Sequence, residues 1–145
     1  MKIVPLTVEH VINIKPQQRQ QSELAVLPAM REYADSLMAA GPGLAGINDD
    51  GDVVFIIGKA IQWKGRHIVW SLMSHNAGKC MISIVRACRR LIESSAGDGR
   101  LELIVQADFA EGCRMANELL GFSYHHYEEK FLPDGSDARI YVRYV

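Results

Sequence analysis

The stretch His67-Ile68-Val69-Trp70-Ser71-Leu72-Met73-Ser74-His75-Asn76-Ala77-Gly78-Lys79-Cys80-Met81-Ile82-Ser83-Ile84-Val85 decides the fold, because its hydrophobic period changes partway along. Up to Met73 it is apolar, aromatic and β-branched, which suits a strand. From Met81 onward the apolar residues are Met81, Ile84, Val85, Cys88, Leu91 and Ile92, one face at helical spacing. Arg86, Arg89, Arg90 and Glu93 take the opposite face. Ala96-Gly97-Asp98-Gly99 ends the helix, and Leu101–Gln106 is a second strand rich in Leu, Ile and Val. Strand, helix and strand in succession require a crossover, so these two strands should pair in parallel.

Working outward toward the N-terminus, Lys64-Gly65-Arg66 is a turn, preceded by a strand over Asp52–Gln62. Its centre, Val53-Val54-Phe55-Ile56-Ile57, is apolar on both faces, as expected of a strand covered on both sides. Asn48-Asp49-Asp50-Gly51 joins it to a short strand, Leu44–Ile47. Met30, Tyr33, Ala34 and Leu37 predict an amphipathic helix over Pro28–Ala40, stopped by Gly41-Pro42-Gly43. Gln17–Leu27 is polar, with Gln-Gln and Arg-Gln steps, and reads as either a helix or a mobile connection. Lys2–Leu6 is a first strand, and Thr7 caps a short helix through Ile14 with Glu9 in its first turn. Toward the C-terminus, Ala110–Leu120 is a helix with Cys113, Ala116 and Leu120 inward. Strands Ser123–Leu132 and Ala138–Val145 follow, joined by Pro133-Asp134-Gly135. The order β-α-α-β-β-β-α-β-α-β-β predicts one α+β domain over residues 1–145, a mixed sheet between helical layers.

Composition narrows the partners. Sixteen Lys and Arg against seventeen Asp and Glu leave a net charge of −1 over 145 residues. A module that coats nucleic acid carries an excess of cations, so nucleic acid is not an expected partner. The same balance gives no reason to expect a membrane surface. Met1–Leu6 is too short and too broken by Pro5 to read as a signal peptide, so a cytoplasmic location is expected. Cys80, Cys88 and Cys113 are odd in number, without a Cys-x-x-Cys pair, and read as reduced core thiols. Adjacent His125 and His126 on a strand should point to opposite faces, so no metal site is expected there. Alternation likewise puts Tyr124 and Tyr127 on opposite faces.

The loop before the strongest helix is the candidate site. A helix N-terminus presents free N–H groups and partial positive charge, so it can hold an anion. Asn76, Ala77, Gly78 and Lys79 lie there, Lys79 adding a cation. The plainer alternative is that Ser74 or Asn76 is an N-cap and Gly78 an ordinary turn residue.

This element order resembles that of the GNAT acyltransferases, which move an acyl group from coenzyme A to an amine. Their pyrophosphate loop reads Arg or Gln, two residues, Gly, one residue, Gly or Ala. Ser74-His75-Asn76-Ala77-Gly78-Lys79-Cys80 matches it at Gly78 and departs at His75 and Cys80. Ala116-Asn117-Glu118-Leu119-Leu120-Gly121-Phe122 looks like the family's Leu-Gly-Phe helix end. Phe131-Leu132-Pro133-Asp134-Gly135 with Ile140-Tyr141-Val142-Arg143 looks like its last hairpin. Val11-Ile12-Asn13-Ile14-Lys15-Pro16-Gln17-Gln18-Arg19, with Glu23 and Leu24, resembles a narrower group, the small GNAT-like proteins of tailed phages that include internal virion protein A.

The resemblance implies a three-layer GNAT-like fold of about six to seven strands and about four helices. It implies acetyl-CoA as cofactor, with Leu72 and Met73 offering backbone groups to the pantetheine and Asn76, Ala77, Gly78, Lys79 and Cys80 cradling the pyrophosphate. The strand carries no carboxylate base, but His67 and His75 flank it, and His75 is the candidate taken for proton transfer. Asn117 stands where many members carry a Tyr acid, and Tyr124 lies nearby on the next strand. The implied activity is N-acetyl transfer to an amine. The alternative is a degenerate GNAT-fold protein that modulates a host protein with little or no catalysis. A host target and a homodimer are the further partners that the resemblance suggests.

Overall fold

The computed structural model describes residues 1–24 and 29–145. Along the chain it forms β1 (Lys2–Pro5), α1 (Val8–Asn13), α2 (Gln18–Leu24), α3 (Met30–Ala40), β2 (Gly43–Ile47), β3 (Val53–Trp63) and β4 (Arg66–Met73). A 3₁₀ turn (Ala77–Cys80) leads into α4 (Met81–Glu93), followed by β5 (Arg100–Gln106). Helix α5 (Ala110–Arg114) continues into a π-helical turn (Met115–Leu119), then β6 (Ser123–Glu128) and β7 (Ala138–Tyr144) close the fold. The strands form one mixed sheet in the order β1-β2-β3-β4-β5-β7-β6. The expected helix from Pro28 begins at Met30 among the described residues. The expected segment through Leu27 is helical to Leu24, and residues 25–28 lie outside the described ones.

Local chemistry sets these boundaries. Thr7 Oγ1 accepts from the His10 N–H at 3.4 Å, and His10 Nδ1 accepts from the Thr7 N–H at 3.1 Å. This reciprocal cap starts α1. Asn48 Oδ1 accepts from the N–H groups of Asp50 and Asp52, which shapes the β2–β3 turn. β3 is an inner strand of the sheet, between β2 and β4, with Val54, Phe55, Ile56 and Ile57 buried. Its successive residues differ in partner: Ile56 packs with Val11, Ala34 and Leu37 under α1 and α3, whereas Phe55 and Ile57 pack with Ile84, Cys88 and Leu101 under α4. Gly58 is required by close approach, because an added Cβ would lie 2.5 Å from Cζ2 of Trp70.

Two features of the C-terminal half depart from the pattern the sequence predicts. β6 ends at Glu128 rather than at Leu132. Lys130 turns the chain with a φ of 49°, and its N–H donates to Asp137 Oδ1 at 2.8 Å. Register also shifts between Tyr124 and His126, a bulge at His125. One extra residue reverses the alternation that follows. Tyr124 faces Tyr141 and Tyr127 faces Arg139, so the two tyrosines share a face instead of opposing each other. The Arg139 guanidinium lies 5.6 Å from the Tyr124 ring centroid and 5.8 Å from that of Tyr127. The same bulge brings His125 and His126 together, with their Nδ1 atoms 2.7 Å apart. Among the described residues, no group of three or more His, Cys, Asp or Glu is placed to hold a metal ion.

β4 and β5 pair in parallel, as the crossover requires, with Arg66–Val69 against Arg100–Leu103. That end is clamped by the buried Glu102. Arg66 Nε and Nη2 donate to its two carboxylate oxygens at 2.8 and 3.0 Å, and Arg100 Nε donates to Oε1 at 2.7 Å. The hydrogen bonds from Arg66 lower the Glu102 pKa to about 2 against the opposing effect of burial, and Arg100 adds to the lowering. A depressed carboxyl stabilises the fold above its ordinary range and loses that contribution as pH falls toward about 2. Both guanidiniums keep contact with water, which discounts the full shift. In urea unfolding at pH 7, Glu102→Gln is expected to lose about 2 kcal/mol. Between pH 5 and pH 2 the variant's stability should vary less than that of the parent.

Candidate functional site

The parallel pairing of β4 and β5 stops at Val69 and Leu103. Beyond it, β4 continues to Met73 beside β3, and β5 continues to Gln106 beside β7. A cleft of about 960 Å³ opens where they part. Trp70, Leu72 and Met73 of β4 and Leu103 and Val105 of β5 line it. Met81 and Cys88 of α4 and Met115 and Leu119 of the π-helical turn extend the apolar wall. Burial holds the Cys88 pKa up at about 12, so its thiol stays protonated and is not a nucleophile at neutral pH.

The free edge of β4 faces this cleft. The Ser74 N–H bonds to Val54 O of β3, so by alternation the peptide groups of Met73 and Ser71 face the other way. Residues just before and within α2 meet them. The Met73 N–H donates to Gln20 Oε1 at 2.8 Å, and Gln20 Nε2 donates to Ser71 O at 2.9 Å. The Gln17 N–H donates to Met73 O at 2.8 Å. On the opposite lip, Arg19 Nη1 donates to Gln106 Oε1 at 3.1 Å and to Asp108 Oδ1 at 2.8 Å. Its guanidinium sits 5.0 Å from the Phe109 ring centroid. Helix α2 thus straddles the parting, with adjacent residues gripping different strands.

The expected phosphate-binding loop connects two residues of the cleft wall, Met73 and Met81. Ser74 is buried and its Oγ donates to Asn76 Oδ1. Ala77 is buried, Cys80 is half-buried, and Gly78 and Lys79 are exposed. No side chain caps the 3₁₀ turn or α4, although Asn76 and Cys80 occupy the cap positions. Gly78 lies outside the left-handed region, and an added Cβ there would meet nothing within 4 Å. The fold itself therefore does not require a glycine at this position.

None of the three side chains expected to handle protons lines the cleft. His75 is exposed, and its N–H donates to Lys15 O at 3.2 Å. With Asn76 it lines a second pocket of about 520 Å³, walled by Glu9, His10 and Asp52 on the side of α1 and the β2–β3 turn. Asn117 Nδ2 donates to Phe122 O at 3.0 Å, closing the π-helical turn. Tyr124 stacks edge-on against Tyr141, centroids 5.7 Å apart. Neither Asn117 nor Tyr124 lines the cleft. The residues that sequence reasoning missed are Gln17, Arg19 and Gln20. Their signal was the uninterrupted polar run Gln17-Gln18-Arg19-Gln20-Gln21, which carries no apolar residue to explain a buried position.

The sequence matches no family profile and no curated protein. The architecture, in contrast, is similar to solved structures along its whole length. The protein smu.2055 of Streptococcus mutans UA159 superposes with a TM-score of 0.77 at 13% identity, covering 99% of each chain. The ribosomal-protein-alanine N-acetyltransferase of Brucella melitensis gives 0.75 at 13% identity, covering 100% of each. Ard1 of Thermoplasma volcanium gives 0.74 at 15% identity, covering 99% of this chain and 97% of that one. The fold is that of the GNAT acetyltransferases. The bond from Asn117 is structural, so Asn117→Ala should lower unfolding free energy by about 1 kcal/mol in a urea titration. Ligand binding in the cleft should be unaltered.

Proposed function

We propose that this chain is an acyl-CoA-dependent N-acetyltransferase-like protein, transferring an acetyl group from acetyl-CoA to an amine. The observation that carries this reading is the apolar cleft where β4 and β5 part, beside the uncapped start of α4 in a GNAT fold. Solved structures of similar fold include enzymes described as ribosomal-protein-alanine N-acetyltransferases. Acetyl-CoA supplies an activated thioester when bound. The residues that fit it are few and mostly use their backbone. The cleft-facing peptide groups of β4 at Met73, with Leu72 beside them, suit the amides of the pantetheine arm. Asn76, Ala77, Gly78, Lys79 and Cys80 suit the pyrophosphate: N–H groups at a helix start favour an anion, and Gly78 leaves open space above the backbone. A fixed donor at the β4 edge would stabilise a developing oxyanion by about 3 kcal/mol. The resemblance would make His75 the proton acceptor and put Asn117 and Tyr124 at the acid position.

A second reading has its own support. None of His75, Asn117 and Tyr124 lines the cleft. That separation favours a GNAT-fold binding protein with little or no catalysis. On the narrower resemblance it is phage-encoded and acts on a host protein in the host cytoplasm.

Thermal unfolding with and without acetyl-CoA tests the cofactor. At about 100 times its Kd the ligand adds about 2.7 kcal/mol, raising the midpoint by several degrees. Gly78→Glu should abolish that rise through bulk and charge while leaving the ligand-free midpoint near that of the parent, because open space surrounds the position. No rise at millimolar acetyl-CoA excludes the cofactor. A rise without release of free CoA thiol in the presence of amines selects the binding protein.

A further inference from the structure

We propose that Gln20 is a built-in latch on the cleft: its carboxamide occupies the β4 edge, and an acyl-CoA arm binds by displacing it. This inference rests on the acyl-CoA reading above. The carboxamide is a planar group with one acceptor and one donor side by side, like a peptide unit. Oε1 accepts from the Met73 N–H at 2.8 Å, and Nε2 donates to Ser71 O at 2.9 Å. Gln20 therefore pairs with β4 as an extra strand would. The Gln17 N–H takes Met73 O in the same way, and the Pro16–Ser74 bridge continues the pairing. A pantetheine arm carries two secondary amides of the same donor–acceptor kind. It cannot take the Met73 N–H while Gln20 Oε1 holds it, and the Gln20 carboxamide stands between it and Ser71 O.

The strand edge is the fixed partner and α2 the movable one. β4 is held along its other side by β3 and at its base by Glu102. Helix α2 has seven residues, too few to be stable alone. Its outer grip is Arg19, held by Gln106, Asp108 and the Phe109 ring, and the Arg19–Asp108 pair, with side chains 37% and 76% exposed, is the kind of ion pair that contributes little. The apparent affinity for acyl-CoA is then reduced by the fraction of molecules that are open. Removing the latch raises affinity, whereas removing an ordinary contact residue lowers it.

Acetyl-CoA Kd values by calorimetry for the parent, Gln20→Ala and Gln20→Glu, with amide exchange of Met73 followed by NMR, distinguish these cases. The glutamate keeps the size of the side chain but cannot donate to Ser71 O. The expected result is about tenfold tighter binding in Gln20→Ala, with faster exchange at Met73 in the free protein, whereas Gln20→Glu keeps an acceptor for the Met73 N–H and tightens binding less. Binding that is unchanged or weaker in Gln20→Ala overturns the latch and leaves the acyl-CoA reading in place. Absence of binding by all three proteins overturns both.

Discussion

The structure depends on where β4 and β5 stop pairing. Parallel strands joined by a crossover helix have no turn to fix their register, so side chains must do it. Here Glu102 draws Arg66 and Arg100 together at one end, and pairing lasts only to Val69 and Leu103. The right-handed twist of a sheet separates strands that are not bonded, and the cleft follows from that separation. Because the crossover helix begins just past the open end of β4, its uncapped start comes to the same place. Cleft, exposed strand edge and helix N-terminus are thus one consequence of one early stop in pairing.

That arrangement was readable in the sequence because it rests on hydrophobic periods. The change at Ser74 placed β4 and α4, and the Leu, Ile and Val of β5 supplied the parallel partner. What could not be read depends on single insertions. Nothing in Tyr124-His125-His126-Tyr127 shows that His125 bulges, yet that one residue puts both tyrosines against Arg139. The π-helical turn is a similar case. Its pattern of apolar residues is that of a plain helix, but the Leu120 N–H bonds back to Met115 O. The polar run around Gln20 showed no hydrophobic period at all. Its place is set by hydrogen bonds to a strand more than fifty residues later, which composition does not encode.

The site residues divide along the same line. Leu72 and Met73 follow from the resemblance, which uses the peptide groups at the end of that strand, and both line the cleft. His75, Asn117 and Tyr124 were chosen for side-chain chemistry, and their positions depend on local detail. Asn117 is turned to Phe122 O, and Tyr124 to Tyr141. A backbone site tolerates almost any side chain, and the fold is shared with solved structures at 13 to 15% identity. Acid–base groups have no such tolerance, because proton transfer needs a particular atom within hydrogen-bond reach.

This difference bears on how binding and catalysis can come apart in such a fold. The cleft is apolar, and its buried thiol is protonated. An edge of peptide groups recognises amides without any help from side chains. Recognition of an amide-bearing ligand therefore needs only the parting of β4 from β5 to persist. Catalysis needs in addition a proton acceptor beside the reacting amine, and the walls of this cleft bring none of the three candidates there. Gln20 fills the edge in the meantime. A buried strand edge left unpaired leaves N–H and C=O groups without partners, at about 1–3 kcal/mol for each. A carboxamide that satisfies Ser71 and Met73 removes that penalty in the empty protein. On the latch proposal, the hydrogen bonds that stabilise the ligand-free fold are the ones an arriving amide must replace.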